Sequence, residues 1–140
     1  MSPMPSIQEP FIALSAGGLV FGTAAILAIL LRPKASGSAL LAGSLSAGFA
    51  AFTLVTIATE GVLPVILNHT TNLWGVQVWW DLLFSLSVAF FFVVPRARAQ
   101  GMNLPLWTVF VLATASIGLL AMVARLFWLE QSGEAELARA

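Results

Sequence analysis

The sequence predicts an all-α integral membrane protein, a bundle of four transmembrane helices with the N-terminus and the C-terminus outside. Three observations predict it. Of 140 residues, 59% are apolar and only 9% charged, against the roughly 25% charged that a soluble domain carries. Charge-free stretches long enough to cross a ~30 Å hydrocarbon core at ~1.5 Å per residue recur along the chain. The basic residues gather in two of the segments between those stretches, as the positive-inside rule requires of cytoplasmic loops.

In chain order the elements form a single membrane domain over 1–140, with spans at about 11–31, 38–58, 73–94 and 104–128. The first lies between Glu9 and Arg32 and is closed by Arg32-Pro33-Lys34. A cleaved signal peptide is the alternative for it, but Met1 to Pro10 holds no basic residue, and the apolar run exceeds the usual ~7 to 15 residue core. The second span lies between Lys34 and Glu60, and Gly61 and Pro64 interrupt the helical pattern after it. Asn68-His69-Thr70-Thr71-Asn72 is too polar for the membrane interior, so 61–72 reads as an exposed loop with an interfacial apolar patch at Val62 to Leu67.

Leu82 to Val94 is too short to cross alone, so the third span begins near Leu73 and carries Asp81 inside it. Pro95-Arg96-Ala97-Arg98 ends that span. The fourth, Leu104 to Trp128, carries Arg125, and Ser132 to Ala140 forms a polar tail. Arg32, Lys34, Arg96 and Arg98 place loops one and three in the cytoplasm. Trp74, Trp79, Trp80 and Trp128 then suit an outer aromatic belt, with Trp107 on the inner side.

Composition excludes several functions. Without cysteine there is no disulfide, thiolate metal site, Fe–S cluster or Cys nucleophile. One histidine, His69, is too few for bis-histidine haem, and no metal site is expected. His69 itself reads as a solvated loop residue, with metal, pigment or proton-transfer roles as alternatives. A net charge of zero without a basic face removes the case for nucleic acid.

An ionisable group inside a span costs about 2.5 to 3.5 kcal/mol on insertion scales, so Asp81 needs a partner, water or a proton. Arg125 is the expected partner. In an antiparallel hairpin of the third and fourth spans, Arg125 lies about 10 Å further out than Asp81, and the two side chains lean toward each other. Polar and small residues recur at helical spacing on each span: Gln77, Asp81 and Ser85; Ser46, Thr53, Thr56 and Glu60; Thr114, Gly118, Ala121 and Arg125. Three such stripes imply one shared polar interior. Helix one offers Ser15, Gly18 and Gly22 as a small-residue contact face. The candidate ligand or ion-pair residues are therefore Asp81, Arg125, Gln77, Ser85 and Glu60, lined by Trp79, Trp80, Phe84 and Phe127. The pair is either a register-fixing ion pair or a ligand site.

Trp80-Asp81-Leu82, then the run Arg96 to Trp107, then Thr114 to Leu120, resemble small bacterial and plastid membrane proteins of unassigned function. Those proteins share an intramembrane Asp, an Arg/Gly/Pro cytoplasmic hairpin and a Gly-Leu segment in the last helix. The aromatic segment with Asp81-Leu82 is also similar to the plant-type neoxanthin synthase family, although Val78-Trp79-Trp80 lacks the histidine that family places before its Asp. The first resemblance implies a multi-pass protein of the bacterial cytoplasmic (inner) membrane; the second implies a lipophilic substrate such as a carotenoid.

Three functions are open on this reading. One is a non-catalytic bundle or accessory subunit whose partners are the bilayer, another membrane protein or its own copies. A second is a binder or enzyme for a carotenoid, isoprenoid or quinone, with Asp81 as acid/base. The third is a small dimeric transporter. Four-helix multidrug exporters place an essential acid in the first helix, which here has no charge.

Overall fold

The computed structural model describes residues 9–31 and 37–139, so the basic link at Arg32 and Lys34 and the first eight residues lie outside the described residues. The described residues form α-helices and no strand. They fall into two compact units that divide at Gly37. The first unit contains α1, Glu9–Leu30, an uncharged apolar helix beyond its first residue. The second contains α2 (Ala39–Glu60), α3 (Leu63–Thr70), α4 (Leu73–Ala99), α5 (Leu104–Thr114) and α6 (Ser116–Leu137). Three helices, α1, α2 and α4, are long and apolar enough to cross a membrane. The expected fourth span is not one of them.

Local chemistry sets the helix ends. The Ser38 hydroxyl accepts from the Leu41 N–H at 3.1 Å, and Asn72 accepts from the Gly75 N–H at 2.9 Å, each satisfying an orphan donor of a first turn. Residues 63–70, expected as loop, are helical, and the polar side chains at their end find partners on carbonyls of the same helix. His69 Nδ1 lies against the Val65 carbonyl, and the Thr70 hydroxyl donates to the Ile66 carbonyl at 2.8 Å. Thr71 likewise donates to Leu67. Helix α4 also runs past its expected end, through Pro95 to Ala99. There the Met102 N–H bonds the Ala97 carbonyl and the Gly101 N–H the Arg98 carbonyl, at 3.0 Å each. This paired closure uses Gly101 at φ 67, a left-handed value that glycine adopts without a Cβ clash.

The largest departure lies in residues 104–128, where the chain reverses at Ala115 (φ 50, ψ −119) instead of continuing as one helix. A straight helix would carry Glu130 roughly 39 Å from Leu104. Instead Glu130 meets Arg96, one turn from the end of α4. Gly118 permits the reversal: a Cβ there would sit 2.9 Å from both the Phe110 carbonyl oxygen and the Val111 Cα. Only a residue without a side chain lets α6 start this close to the last turns of α5.

The core lies where these helices meet. Leu86, Val93 and Ala97 of α4, Val111 of α5, and Met122 and Leu126 of α6 are buried together, with Leu82, Phe90, Met102, Leu104 and Trp107 packed around them. On its other side α6 runs antiparallel to α2. The Ser46 hydroxyl donates to the Ile117 carbonyl at 2.9 Å, while Gly43 lies opposite Ala124. The start of α2, the end of α4 and the second half of α6 therefore share one end of this unit, the Arg96 end.

Candidate functional site

Among the described residues Asp81 and Arg125 form no ion pair, because the reversal at Ala115 carries Arg125 to the other end of the unit. Arg125 is five residues before Glu130, which is bound to Arg96, whereas Asp81 is fifteen residues, about 22 Å, from Arg96 along α4. The Arg125 guanidinium lies 4.3 Å from the centre of the Trp128 ring. Both Trp107 and Trp128 thus belong to the Arg96 end, a correction to the expected outer position of Trp128.

The shared polar interior also gives way. Gln77, Asp81 and Ser85 are all exposed, because α4 buries the adjacent face through Leu82, Leu86, Phe90, Val93 and Ala97. On α2 the stripe is partly inward: Ser46 is buried, Thr53 and Thr56 are half-buried, and Glu60 is exposed. On the third stripe Gly118 is buried, but Thr114 lies before the reversal, and Arg125 is exposed. The physical cause is α6, which packs between α2 and the α4–α5 pair and fills the centre with apolar side chains.

The expected aromatic lining is divided. Trp79 stands with its ring 5.3 Å from that of His69 on α3, and Trp80 packs edge-on against Phe84 at 5.6 Å. Phe127 lies far along the unit, beneath the guanidinium of Arg96 at 5.4 Å. Phe127 is thus set apart from the other three.

Two arrangements result. At the Arg96 end, the Arg96 fork holds Glu130 through Nε at 2.9 Å and Nη2 at 2.6 Å, a bidentate charge-assisted pair. Sequence reasoning misses it because a straight fourth helix carries Glu130 to the opposite end. The small-residue run Thr114-Ala115-Ser116 followed by Gly118 is the one sign of a reversal in the sequence.

Toward the other end of α4, the face formed by Gln77, Asp81 and Ser85 is presented outward on a helix otherwise fit for hydrocarbon. A carboxylate so placed costs about 2.5 to 3.5 kcal/mol unless something meets it. Among the described residues no group of three His, Asp or Glu side chains converges as metal ligands would. What the arrangement offers is recognition: an acid flanked one turn above and below by an amide and a hydroxyl. No protein family, curated protein or solved structure matches the chain.

Proposed function

We propose that this chain is a multi-pass protein of the bacterial cytoplasmic membrane that serves as a non-catalytic helical subunit of a membrane complex. The observation that carries the reading is the exposed face of Gln77, Asp81 and Ser85 on a helix long and apolar enough to span. A polar stripe on such a helix is stabilised by a protein neighbour more than by lipid. Three crossings by α1, α2 and α4 suit the basic residues. With Arg32, Lys34, Arg96 and Arg98 in the cytoplasm, the N-terminus lies outside and the C-terminal end of α6 inside, because the α5–α6 hairpin enters and returns on one side. Re-entrant backbone is tolerated at membrane depth where protein covers it, and the Ser46 bond to Ile117 supports that cover here. The Trp79 to Glu130 resemblance to small bacterial and plastid membrane proteins agrees with this placement.

Native mass spectrometry of the tagged chain, extracted in mild detergent, tests the reading. A defined complex with another membrane protein is expected. A monomer carrying a stoichiometric isoprenoid, carotenoid or quinone would overturn it in favour of a ligand-binding protein.

A further inference from the structure

We infer that the face of α4 formed by Gln77, Asp81 and Ser85 docks a membrane-crossing helix of a different protein, one that carries a lysine or arginine in the outer half of its span. The inference rests on the subunit reading above and specifies the partner's chemistry. Asp81 lies about 22 Å from Arg96 along α4, so with Arg96 at one boundary of a ~30 Å core it sits roughly 8 Å inside the other. Its flanking residues at i−4 and i+4 put an amide and a hydroxyl on the same face, within a strip about 12 Å long. Trp80, Phe84 and Val88 border that strip and are themselves exposed. Within the second unit the strip is therefore uncovered, with one charge at its centre and hydrogen-bonding groups on either side.

Charge complementarity selects the occupant, because no cation among the described residues meets Asp81. Four of the six basic residues are among those the structure describes. Arg96 is engaged with Glu130, Arg125 lies over Trp128, and Arg98 and Arg139 follow at the same end of the unit. His69 meets edge-on the ring of Trp79, which is two residues from Asp81 and so about 200° around the helix from it. A second copy in the same orientation would set Asp81 against Asp81, a like-charge contact. A partner lysine or arginine instead meets the carboxylate, and its remaining N–H groups have Gln77 and Ser85 as acceptors.

The test uses the full chain, dye-labelled and reconstituted in phosphatidylcholine/phosphatidylglycerol vesicles, with a synthetic Leu/Ala spanning peptide of about 23 residues as the probe. One peptide carries a single lysine at the depth of Asp81, and its control carries leucine. Energy transfer should report association at least about tenfold tighter for the lysine peptide. That advantage should vanish with Asp81→Leu, shrink with Asp81→Asn, and persist with Ser87→Ala, whose hydroxyl bonds Leu83 within α4. Equal association of the two peptides would overturn the inference. So would energy transfer between labelled copies of the chain that Asp81→Leu abolishes, since the occupant would then be a second copy. If native mass spectrometry finds a partner whose retention ignores Asp81→Leu, this inference fails while the subunit reading stands. A chain found without a protein partner defeats the subunit reading instead.

Discussion

Replacing Gly118 by alanine isolates the contact that lets α6 fold back on α5. In an ordinary helix interior this change stabilises by roughly 0.5 to 1 kcal/mol, because glycine has more backbone freedom to lose. Here the new Cβ would lie 2.5 Å from Thr114 Oγ1 and 2.9 Å from both the Phe110 carbonyl oxygen and the Val111 Cα. The hydroxyl can rotate, but the other two atoms are backbone. Ordinary contact begins at 3.4 Å, so the helices must part by 0.5 Å, the difference between 3.4 and 2.9. Overpacking of that kind costs about 1 to 3 kcal/mol, which offsets the propensity gain and leaves a net loss of up to about 2.5 kcal/mol. Gly48→Ala is the control, since a Cβ there meets nothing within 4 Å. Stability of the full chain would be followed by tryptophan fluorescence during titration with a denaturing detergent in mixed micelles. A Gly118→Ala protein as stable as Gly48→Ala would refute the tight reversal.

At Ala115, whose φ of 50 places it where L-residues are strained by about 1 to 2 kcal/mol, stability should rank Gly at least equal to Ala, with Val below both; a valine variant more stable than wild type would contradict the backbone geometry. Cysteines introduced singly at Arg98 and Gly133 should react with a membrane-impermeant reagent from the same side of oriented vesicles, and opposite-sided labelling would restore a spanning fourth helix. For Arg96 and Glu130, side chains 45% and 17% exposed, the cycle of Arg96→Gln and Glu130→Gln should show coupling of about 0.2 to 1 kcal/mol; strict additivity would mean that the fork is not held. Met122→Ala, at a fully buried position, should cost about 2 kcal/mol or more, whereas Val109→Ala on an exposed face should cost far less.

Much of the fold was legible in the sequence. Glu9, Arg32, Lys34 and Glu60 bracket the first two spans, and the ends of α1 and α2 lie within two residues of the expected bounds 11–31 and 38–58. The requirement that the third span begin near Leu73 to reach membrane length agrees with the start of α4. The misreadings have local causes. Residues 63–70 read as loop when their polar groups are counted as needing water, whereas those of His69, Thr70 and the adjoining Thr71 find partners among the carbonyls of the same helix. The candidate site was legible only in part. Asp81 stood out by its charge and its stripe by its spacing, but spacing alone does not say which face of a helix is turned inward.

By itself the sequence determined an all-helical chain with apolar lengths fit for a bilayer, because charge spacing and apolar run length are properties of the chain read in order. The tertiary structure decided the direction of the last segment. A single residue at positive φ, with a glycine three positions on, turns a 25-residue apolar stretch into two antiparallel pieces. That reversal separates Asp81 from Arg125, joins Arg96 to Glu130 and fills the centre with Met122 and Leu126. Hydropathy does not record such a turn, since the residues on both sides of it are equally apolar and only the close approach of two backbones distinguishes a hairpin from a span.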